Sequence, residues 1–133
     1  MARAIATEFE DWLGLEFART GKFTALIVLV GIGERDVTPM CSTHVDVIGT
    51  ELDWDEMTML LAGAGVPWDG VALFVATAPG GGTLPNVAAR LRLREMEEAV
   101  RDDRLHLNQG HFFDREGRRM RIDEVDDASA GHA

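Results

Sequence analysis

Imidazole and carboxylate side chains with a spacing suited to chemistry occur in the segment Met40 to Ile48. His44 and Asp46 are two residues apart, so on a β-strand they point to the same side. His106 and His111 follow much later in the chain. Imidazoles and a carboxylate bind divalent transition metals, and a histidine beside an aspartate also serves as an acid–base pair.

Two overlapping sets of candidate residues follow from this composition. The candidate catalytic residues are His44, Asp46 and His111. The candidate metal ligands are His44, Asp46, His106 and His111. Their spacing matches no established metal signature. The alternative is that they are surface residues bonded to backbone or solvent.

A glycine-rich loop at 79–83, PGGGT, lies between an apolar run and a predicted helix. Glycine amides and a helix N-terminus can together hold a phosphate or a carboxylate. The candidate ligand-binding residues are therefore Gly80, Gly81, Gly82 and Thr83. No GxxxxGK[ST] or GxGxxG pattern is present, and no motif indicates a cofactor. A mobile connection is the simpler interpretation of this loop.

Four aromatic residues are candidates for a protein interface. Trp54 falls at a predicted helix start, Trp68 follows Pro67, and Phe112 and Phe113 precede a predicted turn. Exposed aromatic side chains at such places often mark protein contacts, and a symmetric homodimer is then the default. The alternative is that these rings cover the edges of the core.

Four arginines near the C-terminal end form the last candidate group: Arg115, Arg118, Arg119 and Arg121. Guanidinium groups bind phosphates well. However, acidic residues are interleaved with these arginines. The pattern therefore favours solvated ion pairs over a nucleic-acid site.

The composition bounds the class of protein. The 133 residues are 46% hydrophobic and 27% charged, which predicts one globular domain over 1–125 and a loose acidic tail over 126–133. A net charge of −10 disfavours direct binding to nucleic acid or to anionic membranes. The longest apolar run, Ala25–Ile32, is too short to span a bilayer. The single cysteine, Cys41, fits a reducing compartment, and we expect a soluble, cytoplasmic protein.

Hydrophobic periodicity predicts the elements that position these residues. Phe23–Ile32 is apolar on both faces and is predicted to be a central strand, and Met40–Ile48 is predicted to be its half-buried antiparallel neighbour. Helices are predicted over 5–19, from Asp53 and over 85–103. Further strands are predicted over 71–77, around 105–113 and over 118–125. The fold class is α/β, with α+β possible: a mixed sheet of about five strands and three helices, in the order α-β-β-α-β-α-β-β.

Three functions are compatible with this sequence. The leading hypothesis is a non-catalytic protein-interaction or regulatory module that forms a homodimer or binds another protein. The alternative is a small-ligand or metal-assisted enzyme that uses the 79–83 loop with His44, Asp46 and His111. The third is an acidic inhibitor that mimics the charge of nucleic acid.

Overall fold

The computed structural model describes residues 7–123, and the predicted tail 126–133 lies outside this range. The elements in chain order are α1 (Glu8–Thr20), β1 (Phe23–Ile32), β2 (Val37–Val47), α2 (Trp54–Ala62), β3 (Gly70–Ala76), α3 (Asn86–Asp102), a 3-10 helix (Arg104–Gln109) and β4 (His111–Asp114). The three predicted α-helices are confirmed. Residues near 105, predicted as a weak strand, instead form the 3-10 helix.

The four strands form one sheet in the order β2-β1-β3-β4, and every neighbouring pair is antiparallel. The predictions of a mixed sheet and of about five strands were therefore wrong. The fifth strand is replaced by a single bridge between Phe113 and Arg119. Beyond it, the Asn108 side chain bonds both the amide and the carbonyl of Ile122, at 2.8 and 2.6 Å. A side-chain amide thus occupies backbone groups that a strand ladder would need.

The central strand β1 separates two hydrophobic layers. Its odd-numbered residues, such as Ile27 and Leu29, pack with α1 and α2, and its even-numbered residues, such as Leu26 and Val28, pack under α3. This confirms the prediction from the apolar run, because a strand covered on both faces has no polar side. The two faces of the sheet are called the α1/α2 face and the α3 face below.

Aromatic rings fill the core on the α1/α2 face. Phe9 lies 5.0 Å from Trp54 and 5.6 Å from Phe113 between ring centroids. Trp54, Trp68, Phe112 and Phe113 are 3%, 4%, 2% and 0% exposed. None of the four predicted interface residues therefore forms surface. Large rings contribute most to stability when they are fully buried. Here they fill the space between the sheet and the segments packed on its two faces.

The first two helices begin with capping boxes. The side chain of Thr7 accepts from the Glu10 amide, and Asp53 accepts from the Glu56 amide in the same way. Glu10 also accepts from the Trp54 amide at 2.8 Å, which ties the start of α2 to α1. The capping box predicted at Asp53 is confirmed, and its carboxylates suit the positive end of a helix dipole.

Candidate interaction edge and polar clusters

His44 and Asp46 lie on the α3 face of β2, opposite Leu26 and Thr24 of β1. The Thr24 hydroxyl donates to Asp46 Oδ1 at 3.0 Å and accepts from the Leu84 amide at 2.8 Å. This chain of bonds brings Asp46 to the end of the glycine loop. The structure thus places part of the predicted enzyme set, Asp46 and the loop, at one end of the α3 face.

His111 does not join that set. It lies on the α1/α2 face of β4, which is the opposite edge of the sheet from β2. His106 lies on the α3 face and stacks on Phe74, with ring centroids 5.4 Å apart. Within residues 7–123, no three His, Cys, Asp or Glu side chains are grouped so that they could hold a metal ion.

The glycine loop bonds to itself. The Gly81 amide donates to the Ala78 carbonyl at 2.8 Å, and the Ala78 amide donates to the Gly82 carbonyl at 3.1 Å. Gly81 and Gly82 have φ values of 95° and 86°, which other residues rarely adopt. The turn itself therefore requires Gly81 and Gly82, before any ligand is considered.

His111 belongs to a polar cluster that the sequence did not reveal. Its ring stacks on Trp12 at 4.6 Å between centroids, and its Nδ1 lies 3.2 Å from Nη1 of Arg119. A guanidinium has no acceptor, so His111 Nδ1 must accept this bond. That nitrogen therefore carries no proton, and the imidazole is neutral. Burial lowers the pKa of His111, and the charge of Arg119 lowers it further.

Glu16 is the buried carboxylate of this cluster, with 3% of its surface exposed. It accepts from Arg19 Nη2 at 2.6 Å and from the Thr20 hydroxyl. Burial acts to raise the pKa of Glu16, but the bonds from Thr20 and Arg19 outweigh it and the pKa is lowered. The available sequence signal was its position four residues after Trp12, which places both side chains on one helix face.

The outer side of β2 has unpaired backbone groups, as the hydrogen bonds of β1 show. Backbone groups of successive strand residues point to alternate sides. The Val30 carbonyl accepts from the Asp69 amide at 2.8 Å, and the Ile32 amide donates to Asp69 Oδ2 at 2.8 Å. Even-numbered residues of β1 therefore face β3, and its odd-numbered residues face β2.

The register then decides which groups of β2 point outward. From Cys41 to Val47, odd-numbered residues of β2 pair with odd-numbered residues of β1. The residues that direct their amides and carbonyls away from the sheet are Ser42, His44 and Asp46. In the described part of the chain, one long contact reaches these groups, from Cys41 Sγ to the Ser42 carbonyl at 4.0 Å. We call the outer side of Ser42–Asp46 the open edge.

The N-terminal end of β2, before Cys41, differs from the open edge. Arg104 Nε donates to the Val37 carbonyl at 2.9 Å. Val37 pairs with Ile32, whose backbone groups face β3, so the backbone groups of Val37 point to the outer side. The register between β1 and β2 shifts between Leu29 and Val30, so Met40 is an extra residue, and Pro39 has no amide to donate. Bulges, prolines and side-chain caps protect sheet edges. Here these three features protect the part of β2 that precedes Cys41.

The predicted arginine group forms local contacts. Arg118 pairs with Asp114 at 2.8 Å and with Glu116 at 3.1 Å. Arg121 pairs with Asp123 at 3.1 Å. Arg118 and Arg121 are thus paired with acidic residues as expected, whereas Arg115 donates to the Trp68 carbonyl at 2.7 Å and Arg119 contacts His111.

A groove of about 840 Å³ lies beyond the ends of β1 and α3. It is lined by segments 32–38, 103–105 and 120–123 and by Phe112. None of the predicted catalytic, metal or glycine-loop residues lines it. Its charged side chains have both signs, so the groove does not favour one charge of ligand.

Comparison with known proteins gives no significant match: no family model, no curated protein and no solved structure matches the chain. Among the helices of residues 7–123, none is long and apolar enough to cross a membrane.

Proposed function

We propose that this protein is an interaction module that accepts an added β-strand at the open edge of β2. The observation that carries the proposal is the set of outward amides and carbonyls of Ser42, His44 and Asp46. A row of such groups on an edge strand is a template for a further strand.

The sequence of β2 supports strand addition. From Cys41 to Val47 it has no proline, glycine or lysine, and its one charged residue, Asp46, accepts a bond from Thr24. Natural edges usually avoid strand addition by means of prolines, lysines or bulges. On the α1/α2 face, Cys41 and Val45 pack against the core, so an added strand would extend an existing apolar layer.

A second copy is the symmetric occupant of this edge. Antiparallel pairing about His44 would place Ser42 opposite Asp46 of the other copy, with polar side chains meeting on one face. This is the homodimer expected from the sequence, formed by backbone groups rather than by the buried aromatic rings. The proposal requires an added strand, whether or not a second copy supplies it.

The test is a comparison of His44→Pro with His44→Ala. Proline at 44 removes an outward amide and leaves the bonds to β1 intact, because the His44 amide does not face β1. We expect His44→Pro to weaken association at least tenfold and His44→Ala to leave it nearly unchanged.

Two measurements cover the two sources of an added strand. Sedimentation velocity from micromolar to millimolar concentration detects a second copy, and fluorescence anisotropy detects a labelled seven-residue peptide of alternating Gln and Val. The proposal fails if neither probe associates, or if association is equal in the proline and alanine variants. Circular dichroism of both variants checks that each one is folded.

A further inference from the structure

We infer that the open edge selects an acidic extended segment of a partner protein. The inference rests on the proposed function, because it concerns the strand that this edge would accept. The observation behind it is a row of arginines on α3 that runs beside β2. We call Arg90, Arg94 and Arg101 the arginine row.

The contact between α3 and β2 fixes the position of this row. The Ser42 hydroxyl donates to Glu97 Oε2. Arg101 lines the same groove of about 290 Å³ as Met40, Cys41 and Ser42. Arg94 and Arg101 are three and four residues from Glu97, and Arg90 is four residues before Arg94. Residues at these spacings share one face of a helix, so the arginine row shares the side of α3 on which Glu97 meets β2.

The arginine row has no carboxylate partner of its own. All three residues are exposed, and within residues 7–123 none of their guanidinium groups has an ion pair or a side-chain hydrogen bond. Arg92, on another side of the same helix, lies 4.0 Å from Glu95. Glu97 and Glu98 are the acidic residues at these spacings. The Ser42 hydroxyl bonds to Glu97, and within residues 7–123 neither carboxylate forms an ion pair with the arginine row.

The register of the edge gives the pattern of the partner. An added strand would place its residues opposite Ser42, His44 and Asp46 on the α3 face, where the arginine row lies. These positions are alternate residues, about 7 Å apart, and Arg90 and Arg94 are about 6 Å apart along the helix axis. Acidic residues at i and i+2 therefore match Arg90 and Arg94, and a further acidic residue of an alternating segment can meet Arg101, about 10 Å beyond Arg94 along the helix. Apolar residues between the acidic ones fit Cys41 and Val45.

The charges favour such a segment over a second copy. The β2 strand of another copy would bring one carboxylate, Asp46, and its α3 would bring a second arginine row toward the first. Like charges placed together are unfavourable, whereas guanidinium–carboxylate pairs are favourable and directional. The net charge of −10 acts over long distances, but at physiological salt charges are screened beyond about 8 Å.

The experiment uses two labelled peptides of seven residues with the same length and apolar content. One alternates Glu and Val and the other alternates Gln and Val, and each is titrated with the full chain in fluorescence anisotropy. At low salt we expect the Glu peptide to bind about tenfold more tightly, since each of three exposed ion pairs contributes roughly a factor of two. The advantage should shrink in 0.5 M NaCl.

Variants assign the effect to the arginine row. Arg94→Gln should weaken binding of the Glu peptide about twofold, and the triple change of Arg90, Arg94 and Arg101 to Gln about tenfold, with little effect on the Gln peptide. Arg92→Gln is the matched control and should bind both peptides like the unchanged protein.

Each other outcome is informative. Equal binding of both peptides, abolished by His44→Pro, overturns the acidic partner and leaves strand addition standing. Self-association that excludes both peptides makes the second copy the occupant. Binding of a short oligonucleotide that is insensitive to His44→Pro would show a polyanion site on α3 and overturn the inference. Absence of all binding contradicts the proposed function as well.

Discussion

The two edges of the sheet differ in whether their outward backbone groups are hydrogen-bonded. On β4 the Phe112 carbonyl accepts from the Met120 amide at 2.8 Å, and the Asp114 amide donates to the Arg118 carbonyl at 2.8 Å. On β2 the outward groups of Ser42 and His44 have no such backbone partner among the described residues. We call the outer side of β4 the closed edge. Residues 118–120 thus cover the outer side of β4, whereas no described segment covers the outer side of β2 in this way.

The closed edge is also fixed by side chains. Glu8 Oε1 accepts from the Arg119 amide at 2.7 Å, and the Arg119 guanidinium reaches His111. Asp114 Oδ1 accepts from the Glu116 and Arg118 amides at 2.9 and 3.0 Å. These hydrogen bonds lie at the surface of the protein, and together they add to the stability of the closed edge. An open edge contributes little to stability and is free to serve binding.

The largest expected effect separates the inner and outer sides of β2. Thr43→Pro removes an amide that faces Ile27 of β1, and it leaves the Ile27 carbonyl without its partner. We expect it to lower the free energy of unfolding by about 3 kcal/mol. His44→Pro, one residue away, should cost less than about 1 kcal/mol because its amide faces outward. Urea denaturation of both variants measures the difference, and equal losses would contradict the assignment of the open edge.

A smaller effect is expected at the turn that closes β4. Gly117 has a φ of 77°, and a Cβ added there would lie 3.0 Å from the Trp54 ring and 3.1 Å from the Thr7 Cβ. Gly117→Ala should therefore lower the free energy of unfolding by about 2 kcal/mol. Gly81→Ala is the control, since its φ is 95° but nothing lies within 4 Å of the added Cβ. Gly81→Ala should lower the free energy of unfolding by about half as much as Gly117→Ala. Thermal unfolding ranks the two variants, and a reversed order would mean that the turn is not closely packed.

The smallest expected effect is the pH dependence of the closed edge. The pKa of His111 is lowered in the folded chain from its ordinary value of 6.5, so the unfolded chain binds its proton first as the pH falls. The free energy of unfolding should therefore decrease below about pH 6.5, down to the lowered pKa. The contribution of Glu16, whose pKa is also lowered, is present above its ordinary pKa and is lost at more acidic pH, as the pH falls through the lowered value.

His111→Gln tests this window, because glutamine accepts a bond from Arg119 without titrating. Urea denaturation at pH 7 and pH 5.5 should show a smaller decline for the variant than for the unchanged protein. His106→Gln, which removes the imidazole stacked on Phe74, controls for the loss of a histidine. An identical decline in all three proteins would show that His111 does not cause the pH dependence.

The sequence predicted the elements with strong periodicity. Phe23–Ile32 and the three α-helices are at the expected places because each has a long apolar pattern or a capping residue. The region after residue 103 was not predicted well, since its structure depends on contacts far apart in sequence. Asn108 binding to Ile122 and Arg119 binding to Glu8 leave no local pattern. The buried aromatic residues were misplaced because a ring beside a turn has the same sequence signal whether it points inward or outward.

The site was harder to predict than the fold. The open edge is a property of strand order and register, and neither can be derived from one sequence of this kind. Alternation within Met40–Ile48 correctly placed His44 and Asp46 on one face, and it indicated a role for their side chains only. Their backbone groups, which any residue has, form the edge. The arginine row also needed the Ser42–Glu97 contact, which joins residues 55 positions apart.

The strand order also determines when each edge forms during synthesis. The β2-β1-β3 part of the sheet lies within residues 23–76, but β4 begins at His111. Chains emerge from the ribosome N-terminus first, and domains tend to fold in that order. Until the segment 111–120 has been made, β3 is itself an outer strand, with the backbone of Val71 and Leu73 unpaired on one side. Addition of the segment 111–120 covers that side of β3, so the C-terminal part of the chain is what leaves the sheet with one open edge, at β2.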